Sequence, residues 1–139
     1  MIKLHFCRSS LPGALLIQAA LFSRWNHVAV EVDGVVYDAT VVDGVSKSTP
    51  ESLHGKYREI ESVTVSGLDE RAVVKFLESQ LGKSYDWTAL IALPFRKDWQ
   101  NPDKWFCSEL AAEALVAGGW ERLNFPAYRV TPRDLRILV

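Results

Sequence analysis

Cys107 is the residue with the clearest capacity for covalent chemistry. It stands in the run WFCSEL, where the composition changes to one rich in Ala, Leu and Glu and predicts the start of a helix. Unpaired N–H groups and the positive end of the helix dipole lie at such a start. There they favour thiolate over thiol and supply donors for an oxyanion. The pattern indicates a nucleophilic thiol, and the alternative is a small buried apolar residue at a helix start.

A histidine and a carboxylate share one face of a predicted hairpin. Two β-rich runs, HVAVEV and VVYDAT, flank Asp33-Gly34, the preferred pair for a two-residue turn. This turn fixes the pairing, and side-chain alternation then places His27, Glu31 and Asp38 on one face. Asp38 lies diagonal to His27, within side-chain reach, whereas Glu31 lies farther along the strand. Asp38 is therefore predicted to orient His27 as a triad carboxylate does. The alternative is a solvated face with ordinary polar residues.

Other residues with ligand chemistry are scattered along the chain. His5 and Cys7 share a face of the first predicted strand, and together with His27 and Cys107 they are residue types found in metal sites. However, no CxxC, HxxxH or HExxH spacing supports such a site. The sequence also lacks a phosphate-binding glycine loop. It therefore predicts neither a metal nor a cofactor.

The order of the predicted elements favours an α+β fold with a small antiparallel sheet packed against helices. Strands are predicted over Ile2–Arg8, His27–Val32, Val35–Thr40, Val41–Ser48 and Arg58–Val65. Helices are predicted over Leu11–Phe22, between Asp69 and Gly82, over Tyr85–Leu93 and Cys107–Ala117, and after Thr131-Pro132. Thr49–Lys56 is predicted as a turn and Phe95–Lys104 as a loop. On the hairpin, the face opposite His27 is the predicted core.

Length and composition are those of an ordinary globular domain. The 139 residues fit one domain, 1–139, and 48% apolar with 24% charged residues is a typical balance. A formal net charge of −1 predicts no nucleic-acid partner. Two cysteines are too few for a disulfide framework, so two free thiols in a reducing compartment are predicted, and one disulfide between them is the alternative.

The apolar run Leu11–Phe22 has the look of a signal-peptide core, but three observations oppose that interpretation. Residues 2–6 already alternate as a strand does, and no small-x-small cleavage site follows the run before Trp25. Cleavage would also remove a strand and a helix from a small domain. The run is 12 residues long, too short to cross a bilayer. We therefore expect a buried helix, no signal peptide and no stable membrane insertion.

The run LGKSYDW, followed after a loop by FCSELAAEAL, resembles the NlpC-like peptidases, in which Leu-Gly-x-x-Tyr precedes a Cys-Ser nucleophile at a helix start. In those proteins the histidine follows the cysteine, whereas His27 precedes Cys107. This order is similar to that of the circularly permuted branch, which includes YiiX-like bacterial proteins and lecithin:retinol acyltransferase. NHVAVEVDGVVYDA fits the strand–turn–strand pattern of the branch, and TPRDL is similar to the ending of small phage- and prophage-encoded members. The resemblance covers about residues 2–135.

The resemblance implies a permuted papain-like fold and a thiol hydrolase with Cys107, His27 and Asp38 as its catalytic residues. The expected substrate is an amide of a small peptide, with cell-wall peptides as the suggested class and a cytoplasmic or phage-associated location. Lipid or thioester acyl chemistry is one alternative, and a binding module without activity is another. Two departures from the family pattern are Phe106, where many members have Asp, and Ala29 in place of the usual Gly.

Three aromatic residues are further candidates for the substrate cleft. Tyr85 matches the family tyrosine near the thiol, which implies an oxyanion donor or a cleft wall; the alternative is packing on the core. The chain has five tryptophans, more than a core of this size needs. We expect Trp87 or Trp105 at one wall of a polar-rimmed cleft.

Overall fold

The chain forms an α+β fold within residues 1–9, 23–86, 103–124 and 126–139, which are the residues that the computed structural model describes. The strands are β1 (Ile2–Arg8), β2 (His27–Val32), β3 (Val35–Thr40), β4 (Gly44–Ser48), β5 (Glu59–Val65), β6 (Ser84–Tyr85) and β7 (Lys104–Trp105). The helices are α1 (Pro50–Lys56), α2 (Glu70–Gln80), α3 (Cys107–Ala117) and α4 (Pro132–Leu138), with a 3-10 turn at Ala127–Arg129. Among these helices, none has both the length and the apolar character needed to cross a bilayer.

Five strands form one antiparallel sheet in the order β4-β3-β2-β1-β5. The first strand, β1, lies between β2 and β5, so that Cys7 is opposite His27 on one side and Ile60 on the other. The short strands β6 and β7 pair in parallel. The central position of β1 and β2 places the side chains of three neighbouring strands, β5, β1 and β2, side by side on each face.

The β2–β3 hairpin has the register that its turn predicts. Val32 pairs with Val35 and Val30 pairs with Tyr37. Asp33 has φ 49° and Gly34 has φ 83°, the left-handed conformations that a tight type I′ turn requires. The face of Val30 and Val32 lies in the main core, as predicted, where α3 packs against β2 and β3.

The opposite face of the hairpin is also buried, which the sequence did not predict. Helix α1 covers it, and Leu53 packs there with Cys7, Ala29 and Val36 in a second apolar cluster. The prediction of a turn over Thr49–Lys56 is therefore wrong. Thr49 caps α1 by accepting a hydrogen bond from the Ser52 amide at 3.3 Å, and a proline occupies the first turn, where its missing N–H is tolerated.

Two other elements differ from the predictions. β4 begins at Gly44 because residues 41–43 form a turn. Tyr85 belongs to β6 and not to a helix, since its main chain pairs with that of Trp105. The predicted helix Leu11–Phe22, residues 87–93 of the predicted helix and most of the predicted loop lie outside the described residues. By contrast, α3 has the predicted bounds, and α2 and α4 lie where helices were predicted.

β4 is attached closely to the segment that leads into β6. The Val45 amide donates to the Lys83 carbonyl at 2.8 Å, and the Gly82 amide donates to the Val45 carbonyl at 2.9 Å. Gly44 has φ 65°, and a Cβ atom built there would overlap the Lys83 carbonyl oxygen. Only glycine fits both conditions.

Candidate active site

Cys107 is the first residue of α3, as predicted, and is buried with 1% of its surface exposed. The residue before it, Phe106, occupies the N-cap position but has no side-chain acceptor, so it gives the first turn no side-chain hydrogen bond. The Glu109 carboxylate instead accepts from the Phe106 amide at 3.4 Å. The amides at the start of α3 therefore remain available to stabilise negative charge near the thiol.

His27, Asp38 and Cys107 form a connected group. His27 Nε2 lies 3.0 Å from Asp38 Oδ2, and the Cys107 thiol is close enough to the imidazole to raise its pKa. Because Nε2 faces the carboxylate, Nδ1 is the ring nitrogen left to face the thiol. Both residues of the His–Asp pair are buried, with 7% of His27 and 3% of Asp38 exposed. The three side chains are brought together in the order that a nucleophile, a base and an orienting carboxylate require.

The surroundings of His27 favour its charged form. Burial by itself lowers the pKa of His27, but the hydrogen bond to the Asp38 carboxylate and the neighbouring Cys107 outweigh burial and raise the pKa to about 10. A positively charged imidazole beside a cysteine favours the thiolate, which is the form that acts as a nucleophile.

Tyr57 is a member of the site that the sequence did not reveal. Its ring stacks on His27, with 5.2 Å between ring centroids and 9° between the ring planes. Tyr57 is the residue that follows α1, and burial, then the charges of Asp38, Cys7 and Cys107, raise the pKa of its hydroxyl. A neutral ring parallel to the imidazole restricts rotation of His27 about its side-chain bonds. No sequence pattern signals this contact, because it joins a helix end to a strand start.

Cys7 is a second thiol beside the site. It lies directly opposite His27 in the β1–β2 pairing and is completely buried. Its Sγ points to the His5 carbonyl at 3.6 Å. Burial, then the charges of Asp38 and Cys107, raise the pKa of Cys7. The two cysteines are both free, as predicted, and the setting of Cys7 keeps it protonated.

The three aromatic candidates have different outcomes. Tyr85 is buried beside Phe106, with 5.9 Å between ring centroids, and burial and then the charge of Cys107 raise its pKa, so it lies near the thiol. Trp105 donates its indole N–H to Gln80 at 3.1 Å and meets the edge of Phe76, contacts that hold it against α2. Its role at a cleft wall, like the role of Tyr85, stays a prediction. Trp87 lies outside the described residues.

Two buried carboxylates that were not predicted to be part of the site are Asp86 and Glu109, of which Glu109 lies in the first turn of α3. Asp86 and Glu109 are buried, with 2% and 5% of their surfaces exposed. Burial raises the pKa of Glu109 to about 7; the Phe106 amide opposes the shift, and the charges of Asp86 and Glu113 add to it. Glu109 therefore titrates near neutral pH two residues from Cys107.

The described residues contain no group of three or more His, Cys, Asp or Glu side chains placed to hold a metal ion. Comparison of the chain with protein-family models gives no match, and comparison with curated protein sequences gives none either. Support for a function therefore comes from the geometry around Cys107 and His27.

Proposed function

We propose that this protein is a cysteine hydrolase of the circularly permuted NlpC type, with a permuted papain-like fold, that cleaves an amide bond. The observation that carries the proposal is the buried His27–Asp38 pair beside the Cys107 thiol, which stands at the N-terminus of α3. The reversed order of His27 and Cys107 in the sequence supports the permuted branch in particular. Cell-wall peptides are the substrate class that the resemblance favours.

In the proposed reaction, His27 Nδ1 holds the proton of the Cys107 thiol and the thiolate attacks the carbonyl carbon of the amide. Negative charge that develops on the carbonyl oxygen is stabilised by amides at the start of α3. His27 then gives its proton to the leaving nitrogen, which departs as an amine and leaves a thioester on Cys107. A water molecule, deprotonated by His27, attacks the thioester, and the acid and the free thiol are released. Asp38 keeps the imidazole oriented throughout.

The first test measures the reactivity of the two cysteines separately. Wild-type protein is treated with a limiting amount of iodoacetamide at neutral pH, and each cysteine is followed by peptide mass spectrometry. Iodoacetamide is chosen because Cys107 is almost fully buried and a small reagent is needed. We expect Cys107 to be alkylated much faster than Cys7, because the pKa of Cys7 is raised by burial and by neighbouring negative charge.

The matched variant is His27→Ala, which should slow Cys107 while leaving Cys7 unchanged. Equal rates for the two cysteines in the folded protein, or no effect of His27→Ala, would contradict the catalytic assignment. A panel of muropeptides and short-chain esters then identifies the substrate. Turnover of esters alone would favour acyl hydrolysis, and a reactive Cys107 without turnover of any member would favour a binding role.

A further inference from the structure

A second histidine on the same sheet face has a nucleophile on one ring nitrogen and a carboxylate on the other. His5 Nδ1 lies 2.8 Å from Ser62 Oγ, and His5 Nε2 lies 2.7 Å from Glu31 Oε2. The other carboxylate oxygen, Glu31 Oε1, accepts from Lys3 Nζ at 2.9 Å. All four side chains belong to strands of the five-stranded sheet and lie outside the group around Cys107.

The register of the sheet explains this arrangement. Ser62 of β5 is directly opposite His5 of β1, and Glu31 of β2 is directly opposite Lys3 of β1. Glu31 is therefore the diagonal neighbour of His5, as Asp38 is of His27. Residues opposite each other, and residues two apart on one strand, share a face of the sheet. The three strands thus hold serine, histidine and glutamate in one row.

Burial and charge determine which atom carries the proton. His5 and Glu31 are buried, with 4% and 6% of their surfaces exposed. Burial alone would raise the pKa of Glu31, but hydrogen bonds to Lys3 and His5 and attraction to the Lys3 ammonium lower it, so the carboxylate is ionised. When the His5 ring is neutral, an ionised Glu31 can only accept the Nε2 hydrogen, which leaves the Nδ1 lone pair to accept from the Ser62 hydroxyl.

Ser62 differs from its partners because it is exposed to solvent. It lies on β5, whose strand neighbour in the described sheet is β1 alone, at the edge of the sheet. An electrophile can thus approach the hydroxyl oxygen while its proton points at a buried base. A nucleophile hydrogen-bonded to a base that is oriented by a third group is the arrangement that activates serine.

We infer that Ser62 is a second nucleophile of this protein, with His5 as its base and Glu31 as the orienting carboxylate, and that it accepts acyl groups from esters with good leaving groups. Ser62 Oγ attacks the ester carbonyl carbon and its proton passes to His5 Nδ1. The bond from the carbonyl carbon to the leaving oxygen breaks, and that oxygen takes the proton from His5. An acyl ester on Ser62 remains, and water removes it by the same proton path. The site is independent of Cys107.

The test uses Cys107→Ala protein and p-nitrophenyl acetate at neutral pH, with acetylation of each hydroxyl followed by peptide mass spectrometry. Ser66 and Thr64 serve as internal controls, because both are exposed on or next to β5 and neither is hydrogen-bonded to a histidine in the described structure. We expect Ser62 to be acetylated about 10²-fold faster than either, the lower range for a positioned base. If water removes the acetyl group quickly, the expected result is steady nitrophenolate release that Ser62→Ala abolishes and Ser66→Ala does not.

His5→Gln tests the base, because glutamine retains an amide donor for Glu31 but cannot take a proton. Acetylation of Ser62 should then fall to the rate of Ser66. The inference is overturned if Ser62 reacts no faster than Ser66 and Ser62→Ala changes no nitrophenolate release, or if His5→Gln leaves the Ser62 rate unchanged. Should His5→Gln fail to fold, the comparison of Ser62 with Ser66 within Cys107→Ala protein decides alone.

Discussion

The two histidines on one face of the sheet, His27 and His5, have the same local geometry and different proposed nucleophiles. In both, Nε2 faces a carboxylate, at 3.0 Å in His27 and 2.7 Å in His5, and Nδ1 is left for the nucleophile. At His27 the proposed nucleophile is a buried thiol at a helix N-terminus, and at His5 the proposed nucleophile is an exposed hydroxyl on an edge strand. Sheet register alone can orient an imidazole. The surroundings of each proposed nucleophile differ in how well they can stabilise an oxyanion, because Cys107 has the amides of a helix start beside it and Ser62 lies on a strand.

The largest expected effect is that of Asp38→Asn on Cys107. Asparagine can keep the contact with His27, but it lacks the negative charge that helps to hold the pKa of His27 at about 10. Loss of an orienting carboxylate costs up to about 10⁴ in turnover in a serine triad, and we expect a fall of about 10²–10⁴ in Cys107 alkylation or turnover here. The histidine pKa, followed by NMR, should fall in the same variant.

Glu31→Gln is the matched control for that experiment. Glu31 contacts His5 and Lys3, not His27, so Cys107 should react at close to the wild-type rate. A larger effect of Glu31→Gln than of Asp38→Asn on Cys107 would show that the two clusters are not separate.

Glu31→Gln should instead reduce stability. The change removes charge-assisted hydrogen bonds to two partners from a residue that is 6% exposed. A buried interaction of this kind contributes about 1–3 kcal/mol. Urea denaturation should show a loss of that size in the free energy of unfolding, and a loss below about 0.5 kcal/mol, the usual value for a surface site, would contradict the burial of this cluster.

The smallest expected effect is that of replacing Tyr57, the aromatic neighbour of His27, on the reactivity of Cys107. Tyr57 stacks on His27, and an aromatic pair contributes about 0.5–1.5 kcal/mol beyond area burial. Tyr57→Leu should therefore reduce the alkylation rate of Cys107 by up to about tenfold. Tyr57→Phe, which keeps the ring, should retain most of the wild-type rate. Ser62 acetylation should not change in either variant. Equal loss in both variants would assign the effect to the hydroxyl.

The parts of the site that could be predicted are those fixed by local sequence. Asp33-Gly34 sets the register that places Asp38 beside His27, because a two-residue turn leaves no freedom in the pairing. The start of α3 at Cys107 follows from the change in composition. In contrast, the placement of β1 between β2 and β5 depends on contacts between distant segments, which no local pattern encodes. Cys7 was therefore not predicted to be a neighbour of the site.

The burial of Glu31 and the helix α1 are two features that local sequence patterns did not predict. Glu31 lies on a face that alternation identifies as polar, and its burial depends on β1 and its lysine and histidine side chains. Thr49-Pro50 carries the same cap-then-proline signal as Thr131-Pro132, and both begin helices. The first was missed because α1 has a single buried residue, Leu53, and thus no apolar periodicity. Tyr57 at its end was missed with it.

The close approach of Gly44 to the Lys83 carbonyl has a consequence for sequence variation. Position 44 contributes no side chain to the core, yet we expect it to tolerate substitution less than most positions in the protein. Its φ of 65° and the facing Lys83 carbonyl leave no room for a Cβ atom. A related chain with another residue there must route the segment before Tyr85 along a different path. Position 44 is therefore a marker, readable from sequence alone, for which relatives share the geometry of this part of the site.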